Sequence, residues 1–116
     1  MRRLLLVAAF GIAQYKCTDK RTLKPFNPML GETFELLGDG WRYFSEQVSH
    51  HPPISACYGE SEHYIYHMDT HSVMGMAWPG VLTSRPHGVQ HVYLKSHDEH
   101  YLISRPNTQV HNLIFG

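Results

Sequence analysis

The sequence TFELLGDGWRYFSEQV, residues 33–48, decides the fold of this 116-residue chain. Polar and apolar residues alternate with a period of two from Thr33 to Leu36 before Gly38-Asp39-Gly40, and from Trp41 to Tyr43 after it. A glycine-rich tripeptide between two alternating segments is a strong hairpin signal. We therefore predict two antiparallel strands, over residues 33–37 and 41–48.

The same alternation continues downstream of this hairpin. It predicts a second pair of strands at residues 54–59 and 63–70, and later strands at residues 89–95, 101–104 and 110–115. The pattern over residues 73–85 is less clear, because Pro79 and Gly80 interrupt it. The whole indicates a mainly β chain, an antiparallel meander whose curved sheet suits a barrel with an apolar interior.

The N-terminus allows two interpretations. Two arginines and then the apolar residues 4–13 are typical of a secretory signal peptide. The same residues also fit a buried helix over residues 3–14, with Leu4, Val7, Ala8 and Gly11 on one face. Composition alone leaves both open.

Composition excludes several classes of protein. Lys and Arg together number ten, as do Asp and Glu, so no basic field argues for nucleic-acid binding. The chain has no run of eighteen apolar residues that would predict a membrane span. Cys17 and Cys57 are the only cysteines and form no CxxC motif, which predicts free thiols in a reducing compartment.

Two segments carry candidate chemistry. In the first, KPFNPMLGE at residues 24–32, two prolines three apart stiffen the backbone that displays Lys24 and Asn27. The second, EQVSHHPP at residues 46–53, ends a predicted strand. Its adjacent His50 and His51 would point to opposite sides of a regular strand. At a strand end that runs into prolines, both can instead turn toward one ligand.

Three interpretations of the histidine pair remain open from the residues alone. The pair could simply be two exposed side chains at a strand end. A zinc site is disfavoured, because neighbouring residues rarely chelate one ion and no Cys or carboxylate set accompanies them. Anion binding is chemically better, since two imidazolium donors and a lysine can surround a phosphate monoester.

The chain holds ten histidines in all, and none of the others predicts a metal site. His63, His67 and His71 are spaced by four, which would form a metal-binding face on a helix. The alternation around them instead indicates a strand, on which they lie too far apart for one ion. The remaining candidates lie near Pro86, Gly88 and Asp98 in turn-like surroundings, namely His87, His91, His97 and His100.

Both chemical segments resemble signatures of the oxysterol-binding protein family, and EQVSHHPP matches the family fingerprint over all eight residues. The resemblance spans nearly the whole chain. Residues 5–10 are similar to the family helix that precedes the first signature, and residues 101–116 are similar to its later strands. It therefore favours the core helix at the N-terminus over the signal peptide.

The resemblance implies an incomplete lipid-binding barrel that encloses one lipid in a tunnel. It further implies that His50 and His51 bind the 4-phosphate of phosphatidylinositol 4-phosphate at the tunnel mouth. By the same match, Lys24 and Asn27 contact phosphate or inositol oxygens.

Three more residues of the first signature receive supporting roles. The resemblance makes Met29 and Leu30 candidates for the tunnel wall, although an ordinary core role explains them equally well. Glu32 is expected to be a structural hydrogen-bonding group, because a carboxylate repels phosphate.

The function implied is exchange of phosphatidylinositol 4-phosphate for a sterol or phosphatidylserine between membranes. Residues 1–116 would form a partial lipid-binding domain without the family's lid and C-terminal part. The implied setting is cytoplasmic, with peripheral contact to organelle membranes and with no cofactor, metal or nucleic acid.

Two other functions compete with lipid exchange. One is a truncated, non-transferring regulatory or interaction fragment of the same fold. The other is an enzyme with His50 or His51 as general base, which is disfavoured because Ser49 is the only nearby nucleophile. We therefore expect that the chain is not an enzyme.

Overall fold

The computed structural model describes residues 1–23, 25–78 and 80–111. Helix α1 (Arg2–Ala13) leads into a 3-10 turn (Gln14–Thr18) and then an extended loop. The strands within the described ranges are β1 (Thr33–Gly38), β2 (Trp41–His50), β3 (Pro53–Ser61), β4 (Tyr64–Asp69), β5 (Ser72–Ala77), β6 (Val81–Pro86), β7 (Val89–Leu94), β8 (Glu99–Ser104) and β9 (Thr108–Val110), with a short 3-10 turn (Lys95–His97) between β7 and β8.

The strands form two antiparallel sheets. The larger has the order β1-β2-β3-β4-β7-β8, and the smaller has the order β5-β6-β9. Within the described ranges neither sheet closes into a barrel. The predicted fold class, mainly β and antiparallel with one N-terminal helix, is confirmed.

The connectivity departs from a simple meander at β4. This strand pairs with β7 instead of β5, with Tyr66 opposite Val92. The unclear segment at residues 73–85 contains most of β5 and β6, which pair with each other in the smaller sheet. The last strand, β9, spans Thr108–Val110 and so shares only Val110 with the strand predicted at residues 110–115, of which residues 112–115 lie outside the described ranges. Local alternation identifies strands, whereas the choice of a neighbour depends on long-range contacts.

Helix α1 packs against one face of the larger sheet, which we call the helix-side face. The ring of Phe10 meets the ring of Tyr66 edge-on at 5.2 Å between centroids. Gly11 lies so close to Ile103 that a methyl group on Gly11 would stand 3.1 Å from its Cδ1. At the N-terminal end, Arg3 Nε donates to Glu99 Oε2 at 2.9 Å. The predicted helix is therefore confirmed.

The buried side of α1 is narrower than predicted. Val7 and Gly11 are buried as expected, whereas Leu4 and Ala8 are exposed. An apolar cavity of about 310 Å³ separates part of the helix from β4 and β7.

Among the described residues, no helix is long and apolar enough to span a membrane.

A half-buried arginine joins the two sheets. Arg105 follows β8, and its Nη2 donates to the carbonyl oxygens of His71 and His87. These two residues lie on either side of the β5–β6 hairpin, and His87 N–H also donates to His71 O at 2.9 Å.

Cys17 and Cys57 are both free thiols.

Three histidines stack on the face opposite α1. The rings of His67 and His91 lie 4.3 Å apart and nearly parallel, and His100 stacks on His91 at 5.1 Å. His91 lies in β7, within the strand predicted at residues 89–95. His100, which was expected in turn-like surroundings, lies in β8, and pairing of β8 with β7 brings the two histidines together. Burial, and then the charges of His91 and His100, lower the pKa of His67.

This stack makes stability depend on pH. Because the pKa of His67 is lower in the folded chain, the unfolded chain binds the proton first as pH falls. The free energy of unfolding should therefore hold above about pH 6.5 and fall below it. Urea denaturation at a series of pH values should show a shallower fall for His67→Gln than for the unmodified chain. The exposed His63 lies outside the stack, so His63→Gln is the matched control, and equal slopes in the two variants would contradict the interpretation.

Candidate functional site

The two signature segments meet through the backbone of Gln47. Its carbonyl oxygen accepts a hydrogen bond from Gly31 N–H at 2.8 Å, and its N–H donates to Glu32 O at 3.1 Å. These bonds continue the β1–β2 register, in which Thr33 lies opposite Glu46. The loop before β1 is thereby held against the end of β2.

The loop closes on itself just before β1. Glu32 N–H donates to Met29 O at 2.9 Å, and Met29 N–H donates to Glu32 Oε2 at 2.7 Å. Gly31 lies between them with φ at +77°, in the left-handed region that favours glycine. The carboxylate of Glu32 therefore stabilises the turn. Met29 and Leu30 are 72% and 63% exposed at its tip, so neither is a core residue within the described structure.

The end of β2 is irregular, and this irregularity orients the histidines. The register shifts between Gln47 and Ser49, which makes Val48 the extra residue of a β-bulge. Beyond it, the rings of His50 and His51 lie 4.4 Å apart, inclined by 56°. Both histidines are exposed, and the His51–Pro52 peptide bond is cis. The two imidazoles are thus neighbours in space as well as in sequence.

The other predicted headgroup residues are placed in part. Asn27 and Pro28 line a cleft of about 580 Å³, whose wall also includes Gln47 and Pro52. Asn27 therefore lies on the same cleft as the strand that carries the histidines. Lys24, which was predicted to contact phosphate or inositol oxygens, lies outside the described residues.

Metal binding finds no support within residues 1–23, 25–78 and 80–111. No three His, Cys, Asp or Glu side chains in these ranges are arranged to hold an ion. The exposed imidazole pair beside a stiff loop instead offers N–H donors, which suit an anion.

Comparison with known proteins identifies the fold and its relatives. The family model described as oxysterol-binding protein matches residues 1–116. The chain belongs to the oxysterol-binding protein family. Human oxysterol-binding protein-related protein 6 is 41% identical over 98% of the chain. The chain spans only 12% of that relative's length.

Two solved structures from the family resemble the described fold. The ORD domain of Osh1 in complex with cholesterol superposes with a TM-score of 0.85 at 36% identity. It covers 98% of this chain, which spans 28% of that one. The Osh3 ORD in complex with PI(4)P from Saccharomyces cerevisiae superposes with a TM-score of 0.81 at 30% identity, covering 97% of this chain and 32% of its own.

The helix-side face of this family member is a low-dielectric surface that lies next to the end of β2, where the histidine pair is. Burial raises the pKa of Tyr43, of Cys57 and of Tyr66, which lie on neighbouring strands. Phe34 continues this surface toward the sheet edge, with its ring 6.4 Å from that of Tyr43. An apolar molecule would find aromatic and aliphatic contacts along it.

Sequence reasoning missed two residues on this face. Gln47 and Gln90 are its most buried large side chains, only 2% and 1% exposed. Within the described structure the Nε2 of Gln90 is buried without a hydrogen-bond partner. The position of Gln47 inside EQVSHHPP was an available signal. Nothing in the sequence around Gln90 distinguishes it from an ordinary strand residue.

The loop geometry makes a stability prediction about Gly31. A Cβ there would meet nothing within 4 Å, so Gly31→Ala tests the cost of its positive φ without a clash. We expect a loss of about 1 kcal/mol in the free energy of unfolding. Gly75→Ala is the matched control, because its Cβ site is also open and its φ is not in that region. Urea denaturation measures the free energy of unfolding of both variants. An equal change in the two would show that a side chain at Gly31 does not strain the turn.

Proposed function

We propose that this chain binds phosphatidylinositol 4-phosphate through the exposed pair His50 and His51 and exchanges it for a second lipid between membranes. The observation that carries the proposal is the 4.4 Å approach of the two imidazole rings at the end of β2. Hydrogen bonds from the loop that carries Asn27 hold this strand end in place.

The chemistry of the pair fits a phosphate monoester. A ring N–H donates whether the imidazole is neutral or protonated, and a hydrogen bond to phosphate is strengthened by its charge. We assign the 4-phosphate to His50 and His51. We assign further phosphate or inositol contacts to Lys24 and Asn27, which occupy the matching positions of the first family signature.

The rest of the lipid requires an apolar surface. The helix-side face and the cavity of about 310 Å³ beneath α1 provide one. We propose that Met29 and Leu30, which are exposed on the loop, extend this apolar surface at the mouth of the lipid-binding tunnel. The carboxylate of Glu32 stabilises the turn that carries them. Burying an apolar side chain of this size against lipid contributes about 1.5–3 kcal/mol.

The ligands of the related structures support the lipid assignment. Osh1 was solved with cholesterol and Osh3 with PI(4)P. For this chain we propose a sterol or phosphatidylserine as the second lipid, with action in the cytoplasm at the surface of organelle membranes. We propose no enzymatic role, because the site combines imidazole hydrogen-bond donors with an apolar face.

A second candidate function is a non-transferring regulatory or interaction fragment. The observation that favours it is that, within the described residues, neither sheet closes into a barrel that could enclose a lipid. Two assays on the same preparation separate the candidates. Co-sedimentation with vesicles containing phosphatidylinositol 4-phosphate reports binding. Movement of a fluorescent sterol from donor to acceptor vesicles reports exchange, and binding without movement would favour the fragment.

The histidine pair makes a quantitative prediction. Replacing both His50 and His51 by Ala removes two charge-assisted hydrogen bonds, each contributing about 1.5–3 kcal/mol. Binding to vesicles that contain phosphatidylinositol 4-phosphate should therefore fall by about two orders of magnitude or more. Binding of the second lipid, measured with a fluorescent sterol, should largely survive.

Two controls make this result specific. Vesicles with unphosphorylated phosphatidylinositol should bind both proteins equally weakly. His97→Ala, an exposed histidine in the turn before β8, should leave phosphoinositide binding unchanged. If binding of both lipids falls equally in the double variant, the histidines stabilise the fold and do not bind the phosphate.

A further inference from the structure

Gln47 occupies an unusual position for a polar side chain. It is 2% exposed, yet its amide Nε2 lies 2.9 Å from Nδ1 of His50, an exposed residue of the proposed site. Its backbone meanwhile bonds to Gly31 and Glu32. Buried amides are normally hydrogen-bonded, and this one points its amide nitrogen at the imidazole.

The β-bulge makes this contact possible. Residues three apart on a regular strand face opposite sides, so Gln47 and His50 would not meet. The extra residue Val48 shifts the alternation by one, and it is 50% exposed. His50 thereby returns to the side of the sheet on which Gln47 is buried.

The donor and acceptor chemistry of the contact then restricts the imidazole. An amide NH2 group only donates, so Nδ1 of His50 must accept and cannot carry a proton itself. In the neutral ring the proton then resides on Nε2, the nitrogen at the far end of the ring. That N–H is the group left to donate to a ligand.

We infer that Gln47 is a positioning residue that holds His50 as its Nε2–H tautomer, so that a neutral imidazole presents one donor to the phosphate. The identity of the ligand rests on the proposed function, whereas the tautomer does not. The ring centroid of His51 lies 4.4 Å from that of His50, so His51 provides an internal comparison in the same molecule.

The test is nitrogen-15 NMR of the histidine rings in the unliganded chain at about pH 8, where an ordinary imidazole is neutral. We expect Nδ1 of His50 to show the shift of an unprotonated nitrogen and Nε2 that of a protonated one. Gln47→Glu should reverse this pattern, because a carboxylate accepts a hydrogen bond and would draw the proton to Nδ1. Gln47→Met should leave a mixture of tautomers.

Gln90→Met is the matched control for these variants. Gln90 is equally buried but lies on β7, so its replacement should leave the His50 signals unchanged. The unmodified chain decides the question even if a variant at Gln47 fails to fold. An Nδ1–H tautomer at His50, or a mixture of both forms, would overturn the inference.

A binding experiment then connects the tautomer to the ligand. With vesicles containing phosphatidylinositol 4-phosphate, Gln47→Met should weaken binding about tenfold, approaching the effect of His50→Ala. Adding Gln47→Met to His50→Ala should cause little further loss, because the two residues act through one hydrogen bond. Full additivity would overturn the positioning role. A fixed tautomer in a chain that binds no such vesicles would leave the inference standing and remove the proposed function.

Discussion

The structure depends on one strand that hydrogen-bonds along both edges. β2 pairs with β1 from Gly38 opposite Trp41 to Thr33 opposite Glu46, and with β3 over nearly its whole length. The backbone of Gln47 extends the first pairing into the loop before β1. Because a strand paired on both sides cannot shift its register without breaking both ladders, the histidines at its end are held in place.

The two faces of the larger sheet have different physical roles. The helix-side face carries aromatic and aliphatic side chains, and burial there raises the pKa of the Tyr66 hydroxyl. The opposite face carries charged pairs such as Arg42 with Glu60, together with the stacked histidines. This division follows from the alternation of side chains along each strand, and it leaves an apolar surface beside a polar strand end. Lipids have the same division, an apolar body with a polar headgroup.

Much of this arrangement was predictable from local sequence. Gly38-Asp39-Gly40 identified the first hairpin, because polar and apolar residues alternate in the segments that adjoin it. The headgroup candidates came from the family signature, and the structure does place Asn27 on a cleft shared with Gln47. His100 was misplaced, because Asp98 nearby suggested a turn, whereas the strand that holds His100 is fixed by its pairing with β7.

By itself the sequence determined most of the strands, where the helix lies and which residues are candidates for phosphate binding, because period, turn residues and motif are all local properties. Only the tertiary structure decided that β4 neighbours β7 and that Gln90 is buried. It also decided that Val48 bulges and so turns His50 toward Gln47. These features depend on backbone register between strands, and register is set by how the whole sheet buries its apolar face, which no short stretch of residues encodes.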